Sequence, residues 1–374
     1  MFRFELIHRS SKSRARVGRI HTPHGIIETP CFVPVGTNAT LKAIDSKAVD
    51  KLGVQLMFCN TYHLLLHPGP DIVAAAGGLH GFMNRTMPII TDSGGFQVFS
   101  LAFGTVHDEL KSRGKKKAEG TIIKINEDGV LFRSYRDGQL ILLTPESSVQ
   151  IQKKLGADII IPLDELPPYH ISAYELKKSF ERTHRWEKRS LAEHRAHVNG
   201  QAMYAVVHGG IDPILRAESC RILSAEPFDG YAIGGSFGKN FDEMLEMLTV
   251  LMPHMPDDKP NHLLGMGDPR SLEQIIPHGI DTFDSSYPTR CARHGLLFTK
   301  AGMVNMLRGM HKHSFIPVDE TCPCLLCTSY TRAYLHHLFK AQEITALMLA
   351  TIHNLHYMVQ RVAHMRELIL RDEI

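Results

Sequence analysis

Eight short runs rich in Val, Ile and aromatic residues, each closed by Gly, Asp, Asn, His or Pro, recur along this chain with helix-like segments between them. They lie at 32–36, 54–60, 88–92, 157–164, 202–208, 231–234, 262–265 and 280–284. Several are continuously apolar rather than alternating, as in Asp-Ile-Ile-Ile-Pro-Leu-Asp over 158–164. A parallel strand covered on both faces requires that pattern. Eight strand-and-helix units predict an α/β fold, a (β/α)8 TIM barrel, in which chemistry gathers at the C-terminal ends of the strands. The polar residue closing each run is therefore the place to look.

Two stretches break the alternation. Residues 105–143 hold alternating strands with the turn dipeptides Asp128-Gly129 and Asp137-Gly138, which predict an inserted small β-meander. The basic run 111–117 before them reads as a solvated loop rather than a nucleic-acid clamp, since it carries no aromatic residue. The second break begins near Lys312, where a cysteine cluster precedes a long helical pattern over 333–370. Residues 1–311 are thus expected to form the catalytic barrel and 312–374 a metal-stapled subdomain with a C-terminal helix.

The 42 basic and 39 acidic residues nearly cancel, so a polyanion would have to be held by a local basic patch. No run approaches the ~20 apolar residues of a membrane span, and the N-terminal residues lack the apolar stretch of a secretory signal. A cytoplasmic location, with no membrane partner, is the expectation.

Cys322, Cys324 and Cys327 crowd together, a pattern suited to metal chemistry in a chain too long to be a disulfide scaffold. Three thiolates and one imidazole make a closed tetrahedral zinc site, structural because no position is left for water. His353 sits in the helix that would fold back over the cysteines, while His336, His337 and His356 compete for the place. Cys31, Cys59, Cys220 and Cys291 are scattered singly and read as small apolar fillers.

Three aspartates close barrel runs: Asp92, Asp164 and Asp284. A mouth lined by carboxylates suits reactions through a cationic sugar, one carboxylate attacking the anomeric carbon while another moves a proton. Singly, a strand-end Asp is as readily a helix N-cap. The pairs Gly94-Gly95, Gly209-Gly210 and Gly234-Gly235 would let backbone amides approach a flat ligand, or else simply make turns.

Together, Asp92-Ser-Gly-Gly-Phe-Gln97, Phe283-Asp-x-x-x-Pro-Thr-Arg290, the Gly-Gly pairs, and Cys-x-Cys-x2-Cys with Thr351-Ile-His353-Asn354 resemble the tRNA-guanine transglycosylases, over about residues 5–370. The resemblance implies a zinc-containing TIM barrel that exchanges guanine at wobble position 34 of tRNAs with GUN anticodons for a 7-deazaguanine, in queuosine formation. It makes Asp284 the nucleophile, holding tRNA covalently, and Asp92 the acid/base of a double displacement. Asp164 would read the donor edge of the base, with the amide of Gly235 and the side chain of His208 addressing O6. Phe96 would stack on the base over Leu264, beside Ser93, Gly94 and Gly95. Gly265, Met266, Gly267, Asp268, Pro269, Arg270 and Ser271, with Thr289, Arg290, Cys291, Ala292 and Arg293, match the RNA-contacting loops; Arg290 and Arg293 supply cations for phosphates. The metal ligands would be Cys322, Cys324, Cys327 and His353, and the family's homodimer forms through the zinc subdomain.

Departures from the family's pattern point to the incoming base. His208 stands where the family has Gln, Leu264 replaces Met, and Gly234-Gly-Ser-Phe-Gly238-Lys-Asn240 replaces a Gly-Gly-Leu-Ala-Val-Gly-Glu loop. Gly238 in place of Val is expected to open room beside the 7-position, and Asn240 in place of Glu to remove a negative charge. Both favour queuine over the smaller cationic 7-aminomethyl-7-deazaguanine. Two other classes compete less well. A zinc barrel hydrolase needs strand-end histidines and an open metal position, and a non-catalytic tRNA-binding subunit should have lost the aspartates.

Overall fold

All eight apolar runs contribute strands to one parallel sheet, in the order Cys31–Pro34, Thr282–Ser285, Asn261–Leu263, Gly230–Ile233, Ala202–Val207, Ile159–Ile160, Ile89–Thr91, Met57–Cys59. A parallel bridge between Val35 and Phe58, where Gly36 N donates to Phe58 O at 2.7 Å, draws the two edges together into a barrel. The architecture is that of a computed structural model describing residues 2–103, 122–235 and 237–374.

Alternation along each strand splits the barrel wall into two faces. Val33, Phe58, Ile90, Ile159, Tyr204 and Val206 share one buried cluster inside the barrel. Their neighbours Phe32, Met57, Ile89, Ile160, Met203 and Ala205 pack outward in a second, larger cluster with the helices. Leu263 and Phe283 belong to that outward set, so His262 and Asp284, one residue away on adjacent strands, point inward.

An antiparallel sheet, Arg3–Arg9, Arg16–Thr22 and Gly25–Thr29, precedes the barrel and was not among the elements expected. Ile20 and Ile27, paired across it, join the interior cluster. Since Thr29 leads directly into the first barrel strand, this sheet plugs the N-terminal end, opposite the strand ends that carry the aspartates. Burying each isoleucine there contributes about 1.5–3 kcal/mol.

The inserted meander forms Ile122–Ile125, Val130–Arg133 and Leu140–Leu143, with turns at the two predicted Asp-Gly pairs. Its Val130, Phe132 and Leu143 pack on Tyr62, Phe99 and Trp186. The basic run 111–117 lies outside the described residues. At the other end, the helical pattern of 333–370 is two helices, Arg332–Lys340 and Ile344–Leu370, because Gln342 adopts φ +58° and ends the first. The second helix spans two cores. Its Ala346, Leu349 and Ala350 pack with Cys324 and Cys327, whereas Ile352, Leu355, Met358 and Val362 pack on the barrel.

Candidate active site

A cavity of about 920 Å3 opens at the C-terminal ends of the strands. Asp92, Asp164 and Asp284 all line it, as do Ser93, Phe96, Gly235 and Leu264. The three strand-end aspartates thus converge on one space, of a size suited to a small-molecule group.

Asp92 follows the strand Ile89–Thr91 and is 7% exposed. Four donors hold its carboxylate: Asn60 Nδ2 at 2.7 Å and Gln97 Nε2 at 2.9 Å on Oδ2, Thr61 N at 2.8 Å and Gly94 N at 3.2 Å on Oδ1. Burial pushes its pKa up to about 6, although these hydrogen bonds pull the other way. Thr61 opens the helix Thr61–Leu66, so the Asp92 carboxylate accepts from the first N–H of that helix from outside it.

Asp284, 6% exposed, is held differently. Both of its contacts fall on Oδ1, from Gly265 N at 2.9 Å and His262 Nε2 at 3.1 Å. Among the described residues Oδ2 takes no hydrogen bond. Asp164 is flanked by Ser93 Oγ at 3.4 Å and His208 Nε2 at 3.2 Å. His208 itself is buried behind Asp164 and does not line the cavity, and Glu187, with burial and then the charge of Asp164 raising its pKa, lies 4.0 Å from the same ring nitrogen.

Phe96 is 57% exposed at the rim, free to cover a flat ligand. Gly94 and Gly95 lie beneath the cavity, their amides donating to Asp92 and Ser93. Of the loop 265–271, Gly265, Met266, Gly267 and Asp268 reach the cavity lining, Arg270 is exposed, and Ser271 is buried. In the helix Tyr287–Arg293, Thr289, Cys291 and Ala292 face the interior. Arg290 lines the mouth and is exposed, with Arg293 half-buried.

The cysteine cluster assembles with His353, the four ligand atoms lying within 4.8 Å of one another. His353 Nδ1 stands 3.8, 3.4 and 3.3 Å from the sulfurs of Cys322, Cys324 and Cys327, bracketing the ~3.6 Å of a tetrahedral S–Zn–N edge. Its Nε2 faces Phe298 O at 2.7 Å, which leaves Nδ1 bare for a metal ion. His336 instead faces Met306 O. This donor set can hold a metal ion, and next to it Asn354 takes Phe298 N and donates to Pro288 O and Leu296 O, each at 3.0 Å.

Comparison with known proteins decides the family. The profile described as "Queuine tRNA-ribosyltransferase" matches residues 10–374. A protein of that name from Protochlamydia amoebophila is 63% identical over all of this chain and 96% of its own length. Those of Chlamydia felis and Chlamydia pneumoniae are each 53% identical over all of this chain and 99% of their own length. This chain belongs to the queuine tRNA-ribosyltransferase family. It is accordingly an enzyme, a glycosyltransferase of the tRNA-guanine transglycosylase kind acting in queuosine modification. Among its described residues no helix is long and apolar enough to cross a membrane.

Within this queuine tRNA-ribosyltransferase fold, two features differ from the arrangement pictured in the sequence. Gly238 is outside the cavity lining; with φ +132°, a Cβ there would stand 3.0 Å from Met244 N, so the glycine admits the start of a helix rather than opening the base site. Asn240 caps that helix, Phe241–Leu251, through Glu243 N at 2.9 Å, while Glu243 accepts from Lys239 N at 2.6 Å. Sequence reasoning also missed His262, Asn60 and Gln97. A signal was available for Asn60, which closes the run 54–60, and for Gln97, five residues after Asp92 on the following helix.

Proposed function

We propose that this enzyme exchanges guanine at position 34 of GUN-anticodon tRNAs for a 7-deazaguanine, by double displacement through a covalent bond between Asp284 and the ribose. The observation that carries this reading is the unequal treatment of two carboxylates on one cavity. Asp92, gripped on both oxygens and raised to about 6, suits a group that gives a proton to the departing base and takes one from its replacement. Asp284, anchored through Oδ1 alone, keeps an oxygen free to attack. Atoms balance: the C1′–N9 bond to guanine breaks as the Asp284 ester forms, and the reverse step installs the new base with its proton left on Asp92.

Asp164 would accept from the base's N1 and N2 donors, Phe96 cover it, and Arg290 and Arg293 meet phosphates. Queuine as the incoming base is supported by the relatives' names and by the volume of the cavity. The aminomethyl base keeps a claim through Glu243, a carboxylate in the first turn of the helix that Asn240 caps. Zinc on Cys322, Cys324, Cys327 and His353 would contribute folding energy, since four protein ligands leave no open position. A homodimer is supported by Met310 and Phe315, each 74% exposed, beside and at the start of that subdomain.

The test is Asp284→Asn with labelled guanine and tRNA. The expected result is loss of both exchange and denaturation-resistant adduct. An adduct surviving in that variant would sink the assignment, and competition between queuine and the aminomethyl base decides the substrate.

A further inference from the structure

We infer that His262 is a positioning residue for Asp284, donating a hydrogen bond that fixes Oδ1 and thereby turns Oδ2 into the cavity; the inference rests on the reading of Asp284 as nucleophile. His262 is fully buried, stacked on Phe58 with ring centroids 5.8 Å apart, and so has no water to satisfy it. Its two ring nitrogens have one contact each: Nδ1 with Thr282 Oγ1 at 2.8 Å, and Nε2 with Asp284 Oδ1 at 3.1 Å. Register makes this arrangement. His262 pairs with Thr282 across neighbouring parallel strands, and Asp284 is the next inward residue beyond Thr282.

Proton inventory gives the direction of the bond. An ionised carboxylate only accepts, so Nε2 must carry a hydrogen. Thr282 has a single hydroxyl proton and also stands 3.0 Å from the carbonyl of Asn261, an obligate acceptor. When that proton goes to Asn261, Nδ1 must donate as well and the ring is an imidazolium. When it turns to Nδ1, the ring is the neutral Nε2–H tautomer. In both cases the imidazole donates to Asp284, and together with Gly265 N it occupies Oδ1 with two donors from different directions. A carboxylate tethered at one oxygen by both has its plane fixed, and the other oxygen is the one left for the ribose carbon. Pre-orientation of this kind lowers the barrier without tightening substrate binding.

The variants that test it separate shape from donor. His262→Phe keeps a flat ring but donates nothing; His262→Gln places an amide donor near the position of Nε2; His262→Asn reaches Thr282 and falls short of Asp284. Loss of a hydrogen bond to a charged group should lower kcat of guanine exchange and the rate of adduct formation about ten- to a hundred-fold in His262→Phe and His262→Asn. KM for tRNA should stay within about two-fold, and His262→Gln should recover activity to within about ten-fold of wild type. A folded His262→Phe enzyme exchanging at the wild-type rate overturns the inference, as does equal impairment of the Gln and Asn variants should the Phe variant not fold. Wild-type enzyme that exchanges guanine with no adduct would instead overturn the nucleophile reading itself, and this inference with it.

Discussion

Asn60 Nδ2 lies 2.7 Å from Asp92 Oδ2, and the residue after Asn60 donates its backbone N–H to the other oxygen of the same carboxylate. Two neighbouring barrel strands therefore end in one hydrogen-bonded unit, with Asn60 following Met57–Cys59 and Asp92 following Ile89–Thr91. Asp92 is held by the barrel wall rather than by a loose loop. Burial nevertheless makes its charge expensive to maintain, and this has a measurable pH dependence.

A carboxyl raised from 3.8 to about 6 binds a proton more readily folded than unfolded, so stability contributed by this group is present at low pH and is lost as pH rises from about 4 to 6. The corresponding cost at neutral pH is about 3 kcal/mol. Asp92→Asn removes the titration. The difference in unfolding free energy between variant and wild type, measured in urea at pH 4 and pH 7, should shift by about that amount in favour of the variant at pH 7.

Gly209 has φ +138°, and a Cβ there would stand 2.7 Å from the backbone nitrogen of Arg216. Gly209→Ala should therefore cost about 2–4 kcal/mol, because helix backbone rather than a flexible side chain must give way. Denaturant titration checks the loss. A cost under 1 kcal/mol would mean that the helix Pro213–Ser224 slides freely on the strand before it.

Cys324→Ser should lower bound metal below one ion per chain and reduce the melting temperature, as should a strong chelator on the wild-type protein. Metal analysis alongside circular dichroism gives both readings. Guanine exchange per folded molecule should persist, since the Cys3His cluster is separate from the residues lining the cavity.

Asn354→Ala would strand Phe298 N, Pro288 O and Leu296 O in a buried setting. An expected loss of about 3–5 kcal/mol follows from leaving such groups unpaired. Calorimetry should register it, and the variant should also loosen the attachment of the helix Tyr287–Arg293, which carries Arg290.

The sequence made the barrel legible because its signal is local: an apolar run followed by a polar residue identifies each strand and the end that faces the site. Asp92, Asp164 and Asp284 were found that way, and their convergence is a matter of topology alone. The antiparallel plug was missed because Arg3, Glu5, Arg16 and Arg19 interrupt its apolar positions. His262 was hidden for another reason. Its meaning depends on register with Thr282 and Asp284, a relation between strands that no single run contains. Gly238 misled because a small residue reads as space, whereas here the backbone of a helix fills it.

The barrel is joined unequally around its circumference. Seven of its junctions are paired strands, while the eighth, among the described residues, is the bridge of Val35 to Phe58 with the Gly36 amide beside it. Val35 and Phe58 both line the cavity, so this join outside the strand ladders is also part of its mouth. Thermal breathing of the barrel should concentrate there, and the Gly36 amide should exchange its hydrogen with solvent ahead of the ladder between Ala202–Val207 and Gly230–Ile233. Opening along this seam would widen the entrance while leaving the strands that bear Asp284 and His262 laced together.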